Sequence, residues 1–148
     1  MCIRDSLCPS VGEARQLGGR LKRDGFAVAT VAADGPGAAA TGEWARAAFA
    51  AADIVVGSRA GAWAPAPDLA RVLVLDEHDE AYQQEQAPTW HARDVVAERA
   101  RRRGVPCLLV SPCPSLDALA WGDVVAPDRG TERSSWPRVE VLDQRELD

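Results

Sequence analysis

The residues best suited to chemistry are Asp76-Glu77-His78-Asp79-Glu80, which follow directly on the apolar run Arg71-Val72-Leu73-Val74-Leu75. Between Asp76 and Glu85 there are five acids and no Lys or Arg. A carboxylate at the tip of a buried strand can hold Mg²⁺ through oxygen, while a second acid orients water for phosphoryl transfer. The same residues can equally form a solvated acidic turn whose charge simply ends the strand. Spacing alone leaves both readings open.

The usual partner of such an acid is a phosphate loop, and none is legible. GxxxxGKS or GxxxxGKT requires a Lys next to Gly. Lys22 is the single lysine, and it follows Leu21 in a helical pattern. Gly35-Pro36-Gly37 is no substitute, because Pro lacks the N–H that would cradle phosphate. A zinc site is not expected either. The cysteines are Cys2, Cys8, Cys107 and Cys113, with no CxxC pair, and there are two histidines. Cys113 reads as a buried thiol rather than a nucleophile.

These residues need a scaffold, and 148 residues is one domain's worth. The net charge of -5 argues against a protein that coats nucleic acid generally, while a local basic groove remains compatible with it. No apolar run approaches the ~20 residues of a membrane span, so no membrane partner is expected. Sixteen of the 17 basic residues are Arg, and 27 residues are Ala, a bias of GC-rich coding. Met1 to Ser6 (MCIRDS) resemble translated sequencing-adapter read-through and are set aside from the fold reasoning.

Ser10 and Glu13 form a capping-box pattern ahead of Ala14, Leu17 and Leu21, with Gly25 at the helix end. Strands are expected at Phe26 to Val31, Asp53 to Gly57, Arg71 to Leu75 and Pro106 to Ser111. Helices are expected from Thr41 to about Ala52, from Trp90 to Arg103 and from Pro114 to Trp121. Ala32 to Ala40 and Pro127 to Pro137 read as loops, and Arg138 to Leu142 as a last strand. Apolar strands alternating with helices predict an α/β fold, a parallel sheet covered on both faces. Its chemistry belongs at the carboxyl ends of the strands. Three such ends carry polar residues: Gly57-Ser58-Arg59, Asp76 to Asp79, and Ser111 to Ser115.

Several segments, in order, resemble the first motor lobe of the primosomal replication-restart helicase family PriA, of helicase superfamily 2. Ile54 to Pro67 (IVVGSRAGAWAPAP) is similar to that family's GTRSALFAP stretch. Val72 to Gln84 (VLVLDEHDEAYQQ) resembles its strand, DEEH box and following D-x-x-Y-x-Q. Pro88 to Asp94 (PTWHARD) is similar to P-x-Y-H-A-R-D, and Val110 to Leu116 (VSPCPSL) stands where the family has GSATPSL. The resemblance runs from about Leu7 to Trp121. It implies a partial RecA-like, P-loop NTPase-type lobe over residues 7–125 and a linker toward a second lobe over 126–148. It also implies ATP-driven 3′-to-5′ movement on forked or single-stranded DNA, primosome proteins as partners, and a cytoplasmic, nucleoid-associated location. ATP and Mg²⁺ are the implied cofactors; the family's zinc-binding segment lies beyond the stretch matched.

On the resemblance, Asp76, Glu77 and His78 are the catalytic candidates, with Asp76 also the Mg²⁺ candidate. Arg59, Trp63, Arg93 and Ser111 are candidates for DNA binding or coupling. In the gapless register, however, Leu75 stands at the family's Mg²⁺-binding Asp, Asp76 at its water-activating Glu and His78 at its coupling His. A one-residue slip would instead make Asp76 to Asp79 a DExD box. Leucine cannot ligate a hard cation. The SAT-like triplet is Ser111-Pro112-Cys113, without its Thr hydroxyl. Such decay resembles the actinobacterial branch. The alternative function is therefore a catalytically degraded scaffold that binds DNA or primosome proteins without hydrolysing ATP. A third reading, an unrelated small-molecule α/β enzyme, would gain if Asp76 and Ser111 fell at opposite ends of the sheet.

Of the remaining candidates, Arg99, Arg101, Arg102 and Arg103 either meet DNA phosphate or complement the dipole of their helix. Trp63 is the aromatic best placed to stack on a base. Trp44 and Trp90 are expected in the core.

Overall fold

The computed structural model describes residues 3–32 and 37–137. Five strands form one parallel sheet: β1 (Ile3–Leu7), β2 (Val28–Val31), β3 (Ile54–Gly57), β4 (Leu69–Leu75) and, later in the chain, β7 (Cys107–Val110). Their spatial order is β2-β3-β1-β4-β7. The segment set aside in the sequence reading therefore supplies, with Leu7, the central strand. Asp5 and Ser6 lie in register with Val55 and Val56 on one side and Val72 and Leu73 on the other.

The helices form where the caps and apolar spacing place them. Helix α1 (Val11–Arg23) starts at the expected capping box: Glu13 N–H donates to the Ser10 hydroxyl, and Ser10 N–H donates to the Glu13 carboxylate. It covers one sheet face through Ala14, Leu17 and Leu21 against Cys8, Val28, Ile54 and Val56. Helix α2 (Gly37–Ala48) begins four residues before its expected Thr41 cap and ends before Phe49, which is largely exposed. Helix α3 (Ala92–Arg103) covers the other face, with Val96 and Ala100 against Val55, Val72 and Val74. His91 caps it: Arg93 N–H donates to His91 Nδ1, and burial with the Arg93 charge holds this imidazole below its usual pKa. Gly104 ends it in the left-handed region at φ 64.

Gly57 is required where β3 turns into a short 3-10 stretch, Arg59–Trp63. A Cβ there would lie 2.7 Å from Gly61 Cα and 2.9 Å from the Val31 carbonyl oxygen, so no other residue fits.

Other expectations need correction. Residues 129–134 form a short helix, α5 (Arg129–Ser134), because Asp128 caps Gly130 and Thr131 N–H groups within the expected loop. Trp44 is 40% exposed rather than core. Cys113 is exposed, since it follows the β7 tip in an open turn. The turn residues at 33–36 and the strand expected over 138–142 lie outside the described residues.

Candidate functional site at the strand tips

Strands β4 and β7 end side by side, and Glu77 N–H donates to the Val110 carbonyl at 3.1 Å. The acidic turn and the 111–115 loop are therefore neighbours at the carboxyl end of the sheet. This placement removes the condition that would have favoured an unrelated enzyme.

The three acidic-turn candidates have three different environments. Asp76 is exposed, with a left-handed backbone at φ 48, and it borders a cleft of about 500 Å³ shared with Cys8, Glu13, Arg20 and Leu75. Glu77 is 1% exposed. Its Oε1 accepts from Ser115 N–H at 2.7 Å; its Oε2 accepts from the Ser115 hydroxyl at 3.0 Å and from Arg93 at 3.2 Å. Burial pushes this carboxyl up, but the Ser115 and Arg93 hydrogen bonds outweigh it and hold the pKa below the usual range. His78 is exposed, with Nδ1 2.7 Å from the Ser111 hydroxyl. The structure thus brings together His78 and Ser111, two residues singled out separately in the sequence.

Arg93 opens α3 and is buried against the same turn. Besides Glu77 it donates to the Ser115 hydroxyl at 2.9 Å and to Asp117 at 3.0 Å, and its Nε donates to Asp94. Arg59 donates to the carbonyls of Gln83 at 2.6 Å and Ala81 at 3.3 Å. It clamps the segment after the acidic turn, where Gln83–Gln84 (β5) pairs with Trp90–His91 (β6). The buried Tyr82 hydroxyl donates to the Leu75 carbonyl at 2.6 Å, fixing the end of β4. Both arginines are spent on internal contacts.

Trp63 lies apart from the strand tips. It is 55% exposed and meets Trp90 edge to face at 5.4 Å between ring centres. The helix-end arginines are also engaged. Arg99 pairs with Asp5 and donates to the Ala62 and Ala64 carbonyls; Arg101 and Arg102 share Glu98; Arg103 donates to the Pro67 carbonyl. Sequence reasoning missed Ser115, Asp117 and the Tyr82 hydroxyl. The Ser115 cap of α4 (Leu116–Trp121) has a legible signal in Pro114-Ser115-Leu116-Asp117. Its bond to Glu77 does not, because it depends on which strands are neighbours.

The implied Mg²⁺ does not fit these residues. Leu75 offers no side-chain oxygen, both Glu77 oxygens already accept hydrogen bonds, and Asp76 shares its cleft with one other acid, Glu13, among the described residues. Among the described residues no group of three His, Cys, Asp or Glu side chains is placed to share a metal ion.

A parallel five-stranded sheet with helices on both faces and polar strand tips is a partial RecA-like α/β lobe. No family model matches the chain. Among curated relatives it is 32% identical over 114 residues to replication restart protein PriA of Synechocystis, covering 76% of this chain and 14% of that protein. It is 30% identical over 98 residues to PriA of Bacillus subtilis, covering 63% and 12%. It is 34% identical over 111 residues to the probable replication restart protein PriA of Mycobacterium tuberculosis, covering 71% and 17%. The chain is a PriA-like segment, and it spans between 12% and 17% of the length of these three relatives.

Proposed function

We propose that this segment serves replication restart as a DNA-engaging lobe that does not hydrolyse ATP. The relatives' names support the process. The observation that carries the chemistry is the state of Glu77, whose two oxygens both accept hydrogen bonds from Ser115 or Arg93 inside the fold. With Leu75 at the strand end, Asp76 would have to hold the cation and activate water by itself. Metal-assisted phosphoryl transfer divides these tasks between groups. Arg59, Arg93 and Ser111 act in this reading by positioning the strand tips. Trp63 is the surface on which a DNA base would stack. Forked or single-stranded DNA and primosome proteins are the proposed partners, in the cytoplasm at the nucleoid. Among the described residues no helix is long and apolar enough to cross a membrane.

A second reading, an ATP-driven DNA translocase, is favoured by the His78–Ser111 contact, which links the two strand tips as a motor would need. Steady-state ATP hydrolysis with Mg²⁺ and single-stranded DNA separates the two. It should be measured on this chain and on the longest natural protein that carries it. We expect turnover at background, unchanged by Asp76→Asn. Magnesium-dependent turnover that Asp76→Asn abolishes would establish ATP hydrolysis at the strand tip and discard the proposal.

A further inference from the structure

Helix α4 has no buried residue. It stands off the sheet, leaving a cleft of about 560 Å³ between itself and β7 in which Leu108, Val110, Leu119 and Trp121 all stay about half exposed. Apolar packing therefore does not explain why α4 sits where it does. Among the described residues, every hydrogen bond that ties residues 115–121 to the rest of the chain runs to Glu77 or Arg93. Ser115 and Asp117 are the gripped residues, one at the cap and one in the first turn.

We propose that Arg93 is a positioning residue that latches α4 to the tip of β4, so that the seat of α4 follows the conformation of the acidic turn. Three features make the latch directional. Arg93 is buried on α3 and Glu77 is buried in the turn that follows β4, whereas the Asp117 side chain is 81% exposed, so α4 is the part that moves when the bonds break. The same loop is held a second time, at its start, by Ser111 on His78. Residues 77 and 78 thus grip both ends of the 111–115 loop from opposite sides of the turn. Finally, the turn pivots on Asp76, in the left-handed region that side chains other than Gly rarely adopt. A turn relaxing at Asp76 would carry Glu77 and His78 with it and let go of both ends together. This device goes beyond the proposed function and does not depend on whether ATP is hydrolysed.

Nitrogen-15 relaxation on the full 148-residue chain tests it. In the unaltered chain we expect order parameters for residues 116–121 near the rigid-backbone value of about 0.85. Asp117→Asn takes the carboxylate charge out of the Arg93 contact at an exposed position and is expected to lower them toward about 0.6, with Arg93→Lys lowering them further. In both variants the values for β4 and α3 should hold. Because coupling is reciprocal, the amide resonances of residues 76–79 should shift while those of α1 and β2 stay in place. Unchanged values for 116–121 in Asp117→Asn, or mobility already present in the unaltered chain, would overturn the latch. If Arg93→Lys does not fold, Asp117→Asn decides.

Discussion

Replacing Glu77 with Ala is expected to cost about 3–5 kcal/mol of folding stability, the range for removing one partner of a buried ion pair. Both side chains of the pair lie almost wholly inside, at 0% exposure for Glu77 and 8% for Arg93. The variant strands a buried guanidinium and leaves the Ser115 N–H without its acceptor. Arg93 keeps Asp94 and Asp117, both largely exposed, which places the result at the lower end of the range. Urea unfolding followed by circular dichroism gives the value; a loss below about 1 kcal/mol would mean that the pair is not closed in solution. The pH dependence has a defined sign. Glu77 titrates lower in the folded chain than the ordinary 4.5, so its contribution is complete above that value. It is lost as pH falls through the folded pKa.

Asp5→Asn is expected to do the reverse and stabilise the chain at neutral pH. Asp5 sits in the central strand with no exposure, and its buried Oδ1 has no hydrogen-bond partner among the described residues. Burial raises its pKa from 3.8 to about 6, and the Arg99 charge and hydrogen bond recover only part of the penalty. At ~1.4 kcal/mol per tenfold change in proton affinity, the ionised carboxylate costs about 3 kcal/mol at pH 7. Because the folded pKa lies above the unfolded one, this penalty is present above about pH 6 and disappears as pH falls toward 4. Asn carries no charge at any pH, and Arg99 keeps the Ala62 and Ala64 carbonyls. We therefore expect a gain of about 1–3 kcal/mol at pH 7 that shrinks to near zero at pH 4. A variant equal to the unaltered chain at pH 7 would show that Arg99 compensates the charge fully.

The two groups together shape the acid limb. Acidification from pH 7 toward 5 relieves Asp5, and only further acidification costs the Glu77 bonds. Over the same window His91, held below its ordinary 6.5, acts in the opposite sense, because its protonation opposes folding.

Much of this architecture was legible in the residues. The apolar run at 54–57 is a strand buried on both faces, and the runs at 71–75 and 107–110 join the same parallel sheet with alternate residues more open, Leu108 and Val110 about half exposed. Ser10 with Glu13, and Gly104 after Arg103, mark helix ends by hydrogen-bond chemistry that is local in sequence. The central strand was not read, since Met1 to Ser6 resemble adapter read-through and were set aside from the fold reasoning. Trp44 was misplaced because helical spacing shows an apolar face without showing what covers it. At the site, the acidic turn and Ser111 stood out as strand ends, and His78 duly meets Ser111. The division of labour within the turn was hidden. Glu77 and Asp76 look alike in sequence, and only the order of strands, with α3 delivering Arg93 beneath the β4 tip, turns one inward and leaves the other in water.

The central claim is that the acidic strand tip is a structural clasp rather than a divalent-metal site. Paramagnetic Mn²⁺ added to the nitrogen-15-labelled chain tests it directly, because a bound ion broadens nearby amides whether or not any reaction follows. The expected result is weak, unsaturable broadening at exposed acids, with residues 75–79 and 111–115 affected no more than Asp128 or Glu132. Saturable broadening centred on Asp76 and Glu77, reversed by excess Mg²⁺, would contradict it and return the strand tip to the metal-dependent motors.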